Sequence, residues 1–282
     1  MIGGCPVFPA DNEWNRDISS DPVDPNSAAM IADINTNAWS DSEHFLHADF
    51  GSNPEYGIPF AVVPNGQAMV PIRIDLYPDE SDAGPYPIPS TAPIEGGGDH
   101  HVLVVEQGTC KLYEMWHAAP NGSGWSADQA STFDLNSNTL RPNGWTSADE
   151  AGLPILPGLT RYDEVEAGEI RHALRFTVNV SREGWVSPAT HPGFSSDDAN
   201  APPMGARLRL RADFDLTPYH GGALVILRAL KRYGMFVADS GNGNWYLSGA
   251  TDSRWNDDDM GQLHNVPGSA FEVVQMGTVQ HW

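Results

Sequence analysis

The clearest pattern of hydrophobic and polar positions lies in residues 95–117. Residues 102–105 form a short apolar run rich in valine, and β-branched residues favour a buried, pleated strand. Gln107 and Gly108 suit a tight turn, after which residues 111–116 have the composition of a returning strand. This stretch therefore predicts a β-hairpin.

The register of this hairpin decides which side chains share a face. A loop of two or four residues places His101 opposite Glu114 and Asp99 opposite Trp116. Because side chains alternate along a strand, these four then lie on one face of the hairpin. A three-residue loop would shift the register by one and separate them. The pattern predicts a face that carries a histidine, two acids and an indole.

Similar apolar or alternating segments predict further strands. These segments are residues 58–63, 69–76, 172–180, 206–214, 235–238, 245–247 and 270–274. In residues 206–214, three arginines fall on one face, which is predicted to be wet or paired with acids: Arg207, Arg209 and Arg211. Helical spacing is predicted at residues 26–34 and 222–233, where a leucine stripe opposes a basic face.

Short strands joined by long loops rich in proline and glycine favour a mainly β fold. We predict a single-domain antiparallel β-sandwich of the jelly-roll type, with one long amphipathic helix on its outside. Residues 1–25 are rich in proline, aspartate and asparagine, and are predicted to form an extended N-terminal tail. Residues 26–282 are predicted to be the single β-rich domain.

The charge of the chain excludes several classes of partner. The net charge is −22, and the chain has only two lysines. Such a chain repels phosphate backbones and anionic lipids, so nucleic-acid and membrane-surface binding are not expected. No apolar run reaches the roughly 18 residues that a membrane span needs. No signal-peptide pattern follows Met1, which is interpreted as the start of a mature chain. The oligomeric state is left open.

The two cysteines, Cys5 and Cys110, allow two interpretations. A disulfide would tie the N-terminal tail to the hairpin across a loop of about a hundred residues. Alternatively, Ile2-Gly3-Gly4-Cys5 resembles the end of a bacterial lipoprotein box, with Cys5 lipidated in a longer precursor. Both interpretations place the protein outside the cytoplasm, secreted or anchored there.

A possible metal site lies at the start of the hairpin. Asp99, His101 and Glu106 are spaced as in the first metal motif of cupins, which they resemble with Asp99 in place of the first histidine. Imidazole and carboxylates together suit a divalent transition metal. The second cupin motif is not visible. Oxygen-rich segments at residues 79–84 and 257–259 are candidates for calcium, although neither matches an EF-hand.

Carboxylates, histidines and tryptophans also point to carbohydrate chemistry. Glycoside hydrolysis needs two carboxyl groups, and polysaccharide lysis needs a base and a cation. Nine tryptophans offer flat faces for sugar rings. The predicted catalytic residues are Glu114 and Asp149 as acid and base, His101 and His172 as proton-transfer partners, and Arg175 as an orienting cation. The predicted substrate-binding residues are Trp116, Trp145, His117 and Asp239.

Several stretches of the chain resemble a group of uncharacterised secreted bacterial proteins. The resemblance implies an exported single-domain protein and brings no particular activity. It lies in YGIPF (56–60), DHHVLVVE (99–106), GWTSADEAGLPILPGLTRYDEV (144–165), HALRFTV (172–178) and LKRYGMFVAD (230–239).

Together these patterns predict a secreted polysaccharide-degrading enzyme, either a glycoside hydrolase or a lyase, that works in a groove on a sheet. Two alternatives stay open. One is a cupin-like metal-dependent enzyme with Asp99, His101, Glu106 and His172 as ligands. The other is a non-enzymatic extracellular protein that binds glycans or forms filaments.

Overall fold

The computed structural model describes residues 1–193, 196–241 and 243–282 and is mainly β. Its helices in these residues are α1 (Ser27–Thr36), α2 (Tyr162–Ala167), α3 (Gly221–Arg232) and α4 (Asp257–Gly261). Its strands there are β1 (His47–Asp49), β2 (Phe60–Val63), β3 (Ile72–Ile74), β4 (Val102–Glu106), β5 (Lys111–Trp116), β6 (Ala119–Asn121), β7 (Gly124–Ala127), β8 (Gln129–Asp134), β9 (Leu174–Val178), β10 (Arg182–Trp185), β11 (Pro203–Met204), β12 (Arg207–Leu210), β13 (Met235–Ser240), β14 (Tyr246–Ser248) and β15 (Phe271–Val273).

The strands form several sheets. The largest has the order β1-β14-β9-β13-β12-β15, and a four-stranded sheet has the order β2-β4-β5-β8. Smaller sheets have the orders β3-β7-β6 and β10-β11. The predicted single antiparallel jelly-roll sandwich is not confirmed, because β9 pairs with β13 in parallel and β2 pairs with β4 in parallel. Parallel neighbours need long crossover connections, and α3 lies in the one between β9 and β13.

The predicted helices are present, but the expectation of one long helix is wrong. α1 has 10 residues and α3 has 12, so the two are of similar length. α1 packs against β15, while α3 packs against β12. α3 buries Ile226, Leu227 and Leu230, as its leucine stripe predicts. No helix in the described part of the chain is both long and apolar enough to cross a membrane.

The predicted hairpin is formed by β4 and β5. Its loop has four residues, because Glu106 pairs with Lys111. Leu103 therefore faces Glu114, where His101 was expected to face it. This shift of two residues corrects the predicted pairs and keeps the predicted faces, since side chains alternate with a period of two.

The four-stranded sheet has apolar side chains on both faces. Leu103, Val105 and Leu112 join the large core that also contains the six-stranded sheet and the helices. Val104 and Met115 join a smaller core with residues of the three-stranded sheet. The four-stranded sheet is therefore buried on both sides, which explains the nearly continuous apolar runs of β2 and β4.

The N-terminal residues cover the arginine face of β12. The Arg207 guanidinium donates hydrogen bonds to the carbonyl oxygens of Glu13, Arg16 and Tyr233 at 2.7–2.9 Å. Arg209 pairs with Glu272 at 2.8 Å. The predicted alternative of pairing with acids is thus met at Arg209, whereas backbone carbonyls bind most of the Arg207 guanidinium.

A disulfide joins Cys5 to Cys110, as the first interpretation of the two cysteines predicts. The two residues are separated by 105 positions, so the bond closes a long loop and ties the N-terminal residues to the hairpin. Trp14 and Ile18 of the same segment are buried. The Sγ atom of Cys5 is therefore not available for a lipid in this structure.

Candidate functional site

A pocket of about 420 Å³ opens where β5 and β13 end and the loop of residues 146–150 crosses between them. The Glu80 carboxylate accepts a hydrogen bond from the Thr146 amide at 2.9 Å and so holds this loop. The carboxyl side chains that line the pocket are Glu80, Asp99, Glu150 and Asp239, and its aromatic side chains include Tyr77, Trp116 and Trp282.

Glu150 and Asp239 form an electrostatically coupled pair in this pocket. The Ser240 hydroxyl donates a hydrogen bond of 2.6 Å to Glu150 Oε2. Burial and the negative charge of Asp239 raise the pKa of Glu150 to about 8. Burial also raises the pKa of Asp239, and the nearby Arg175 guanidinium opposes part of that rise. At neutral pH, Glu150 is therefore a carboxylic acid beside a second carboxyl group.

Trp116 forms one aromatic wall of the pocket. Its indole Nε1 donates a hydrogen bond of 3.1 Å to Asp99 Oδ1. The indole stacks on the ring of His117 at 4.1 Å, and the ring of Tyr77 lies 6.3 Å away. Trp282 also lines the pocket, with 66% of its surface exposed. The pocket lining thus combines aromatic rings with carboxyl side chains.

His101 lines the pocket as a buried, doubly hydrogen-bonded ring. Its Nδ1 lies 2.6 Å from Glu95 Oε2, and its Nε2 lies 3.0 Å from the Ala148 carbonyl oxygen. Both partners only accept hydrogen bonds, so both ring nitrogens act as donors. Burial lowers the pKa of His101, but the Glu95 carboxylate more than offsets this effect and raises it. His101 is thus an imidazolium that pairs with Glu95.

The cupin-like set is only partly brought together. Ligand atoms of Glu95, Asp99 and His101 lie within 4.8 Å of one another, but Glu106 is not among them. Glu106 ends β4 and accepts a hydrogen bond from Thr109 at 2.8 Å. A transition metal needs an imidazole lone pair, and both His101 nitrogens already donate hydrogen bonds. The residues therefore do not fit a cupin-like metal centre in this arrangement.

In both candidate calcium segments, aspartate carboxylates accept hydrogen bonds from other groups of the protein. Asp82 accepts hydrogen bonds from Arg141 at 2.6 Å and from the Thr132 amide at 2.8 Å. Asp257 binds the Ser52 amide, and Asp259 binds the Gly222 amide near the start of α3. These acids connect neighbouring segments and helix ends, so their oxygens do not converge on one point.

Two of the predicted catalytic residues, Asp149 and Arg175, bind each other. Asp149 Oδ1 lies 2.8 Å from Arg175 Nη2, and both side chains are buried. Burial outweighs the attraction of the guanidinium and raises the pKa of Asp149 to about 6. Neither residue lines the pocket. The pair joins the loop at residue 149 to β9.

Glu114 does not line the pocket either. It is fully buried and accepts hydrogen bonds from the amides of Ile155 and Leu156 at 2.9–3.1 Å. Burial raises the pKa of Glu114 to about 7, although these amides act in the opposite direction. In the structure it holds the loop at residues 154–158 against β5, and its role as acid or base stays a prediction.

His172 lies at the other end of the sheet. β9 and β13 run parallel, and Thr177 pairs with Asp239. His172 precedes Thr177 by five positions, which is about 16 Å along an extended chain. Its ring bonds to Glu164 of α2 at 2.9 Å and to the Ala173 carbonyl at 2.7 Å. The predicted convergence of His101, Glu114 and His172 is therefore not found.

Two of the four predicted substrate-binding residues line the pocket and two do not. Trp116 and Asp239 line the pocket. Trp145 is half-buried, and the Arg141 guanidinium lies over its ring at 5.6 Å from the ring centre. Trp145 does not line the pocket. His117 pairs with Asp128 at 2.7 Å and reaches the pocket only through its stacking on Trp116.

Sequence reasoning missed Glu95, Glu150 and Gln129, and it considered Glu80 only as part of a candidate calcium segment. Glu95 and Glu80 lie in irregular segments rich in proline and glycine, where no periodicity shows which way a side chain points. Glu150 follows Asp149 directly, and this pair of adjacent acids was the only available signal. Comparison with protein-family models, with curated proteins and with solved structures finds no match for this chain.

Proposed function

We propose that the pocket binds a carbohydrate chain and that the protein hydrolyses a glycosidic bond there, with Glu150 as the general acid. The observation that carries this proposal is the Glu150–Asp239 pair. A carboxyl group whose pKa is raised to about 8 stays protonated at neutral pH and can donate its proton to a leaving oxygen. The aromatic walls at Trp116 and Tyr77 suit the apolar faces of sugar rings.

In this proposal the proton of Glu150 goes to the glycosidic oxygen as the bond to the anomeric carbon breaks. A water molecule supplies the new hydroxyl group on the anomeric carbon and gives its proton to Asp239 in the inverting route, or to the deprotonated Glu150 in the retaining route. Asp239 supplies the second carboxylate, which both stereochemical routes of glycoside hydrolysis need. Asp99, held by the Trp116 indole, binds sugar hydroxyls. His101, Asp149 and Arg175 keep the surrounding segments in place.

The charge of the pocket favours a hydrolase over a lyase. A lyase that acts on uronates needs a cation or a set of donors to neutralise the substrate carboxylate. Four carboxyl side chains line this pocket, and no lysine or arginine is among the described residues that do so. His101 is cationic, but Glu95 already neutralises it. A uronate would therefore meet repulsion.

We propose that the protein acts outside the cytoplasm. The Cys5–Cys110 disulfide supports this location, because structural disulfides persist in oxidising compartments. Polysaccharides of cell walls and extracellular matrices are accessible there. The strongly acidic surface suits the same setting.

The test is incubation of the purified protein with neutral, aminated and uronate polysaccharides, with new reducing ends as the readout. Glu150→Gln and Asp239→Asn should each lower the rate at least about 100-fold, the lower range for loss of a general acid or base. Glu183→Gln changes an exposed glutamate outside the pocket and should leave the rate unchanged. Binding of a glycan without any product would replace this proposal with a non-enzymatic glycan-binding function.

A further inference from the structure

We infer that the sugar bound in this pocket carries free amino groups, so that the ligand is a polysaccharide of positively charged amino-sugar units. This inference rests on the proposed function only in assuming that a sugar occupies the pocket. It specifies the chemical class of that sugar from two independent features. The first is the charge of the lining, and the second is a buried acceptor without a donor.

Carboxyl groups outnumber cationic side chains in the lining of the pocket. Glu80, Asp99 and Asp239 contribute carboxyl groups from three separate segments of the chain. His191 also lines the pocket, but burial lowers its pKa, so it contributes no positive charge at neutral pH. An ammonium group would be attracted to this excess of carboxyl groups, and the attraction is strengthened where water is partly excluded.

Gln129 supplies the second feature. Its side chain is fully buried and lines the pocket, and its Nε2 donates hydrogen bonds to the carbonyl oxygens of Glu80 at 3.0 Å and Ala130 at 3.2 Å. Two carbonyl partners determine which end of the amide carries the nitrogen. Its Oε1 is then an acceptor that has no hydrogen-bond partner among the described residues.

An unpaired buried acceptor is costly, so a ligand that donates a hydrogen bond there is favoured. Carboxylates and the Gln129 Oε1 atom together form a site that accepts more hydrogen bonds than it donates. An ammonium group has three donors and no acceptor, and so matches it best. A neutral sugar offers hydroxyl donors without charge, and an N-acetylated sugar adds a carbonyl acceptor in place of the charge.

The test measures binding by titration calorimetry with Glu150→Gln, which lacks the proposed general acid and keeps the pocket. The ligands are β-1,4-linked oligosaccharides of glucosamine, N-acetylglucosamine and glucose, equal in length. The glucosamine oligosaccharide should bind at least about tenfold more tightly than the other two, the scale of one charge-assisted hydrogen bond. Its affinity should fall as salt is added. Equal affinities, or an affinity that salt does not change, would overturn the inference.

A matched pair of variants places the ligand in this pocket. In the Glu150→Gln background, Glu80→Gln keeps an oxygen for the Thr146 amide and removes one charge, so glucosamine binding should weaken about tenfold. Asp79→Asn removes the charge of the exposed neighbour and should leave binding unchanged. Equal effects of both variants would contradict the inference.

Binding and cleavage also separate this inference from the proposed function. A protein that binds the glucosamine oligosaccharide selectively and never cleaves it would support the inference and contradict the hydrolase. A protein that cleaves neutral glycans and shows no preference for amino sugars would support the hydrolase and contradict the inference.

Discussion

The Asp149 carboxylate and the Arg175 guanidinium form a two-pronged ion pair inside the protein, with Oδ1 2.8 Å from Nη2 and Oδ2 3.2 Å from Nε. Both side chains are buried, so each charge depends on the other for compensation. We expect Asp149→Ala to lower the free energy of unfolding by about 3–5 kcal/mol, because the buried Arg175 charge would lose the carboxylate that binds it directly.

Chemical denaturation measures this loss. The control is Asp17→Ala, which removes the partner of Arg232 from an ion pair on the surface. Exposed pairs of this kind contribute up to about 1 kcal/mol, so the control should lose no more than that. Equal losses in the two variants would show that Asp149 does not compensate a buried charge.

Glu114 should make stability depend on pH. Burial raises its pKa in the folded protein from an ordinary 4.5 to about 7. Its contribution to stability is therefore fully present below about pH 4.5 and is lost as pH rises through 7. Glu114→Gln does not titrate and keeps an oxygen for the amides of Ile155 and Leu156. The stability of the native sequence relative to this variant should fall by roughly 3 kcal/mol over that range.

Urea denaturation at a series of pH values between 4 and 8 tests this expectation. Glu114→Leu provides a second comparison, since it leaves two buried amides without an acceptor. That variant should be less stable than Glu114→Gln at every pH, by about 1–3 kcal/mol for each unsatisfied amide. A constant difference between the native sequence and Glu114→Gln would contradict the raised pKa.

The pH dependence of hydrolysis should report Glu150. The acid form of Glu150 is needed for proton donation, and its pKa is raised to about 8. We expect kcat/KM to fall as pH rises through about 8. The Ser240 hydroxyl bonds to Glu150 Oε2 and lowers the pKa of Glu150. Ser240→Ala should therefore shift this alkaline decline to higher pH.

The measurement is a profile of initial rates across pH for the native protein and for Ser240→Ala. Ser137→Ala, a substitution at a half-buried position outside the pocket, is the control and should leave the profile in place. An alkaline decline at the same pH in all three proteins would assign it to a group other than Glu150.

Trp116 should affect substrate binding more than folding. Its indole forms a wall of the pocket and bonds to Asp99. Trp116→Ala should raise KM about tenfold, which corresponds to the upper range for an aromatic contact. Trp116→Phe keeps an apolar ring and loses the hydrogen bond, so its KM should lie between the values for the native protein and for Trp116→Ala. Trp39→Ala removes an exposed indole outside the pocket and should leave KM unchanged.

The sequence by itself determined those parts of the protein that depend on neighbouring residues. The β4–β5 hairpin follows from the valine run and the turn at Gly108, and α1 and α3 follow from helical spacing of apolar residues. The pairing of Cys5 with Cys110 was also accessible, because the chain has no other cysteines. Each of these inferences needs only local geometry or simple counting.

Only the tertiary structure decided which reactive side chains meet. Asp149 and Glu150 are adjacent in the chain, yet one is buried against Arg175 and the other lines the pocket. His172 is separated from Asp239 because β9 and β13 run parallel, a pairing between segments about 60 residues apart in the chain. Burial, and with it the pKa of a carboxyl group, depends on such distant contacts, which no local pattern records.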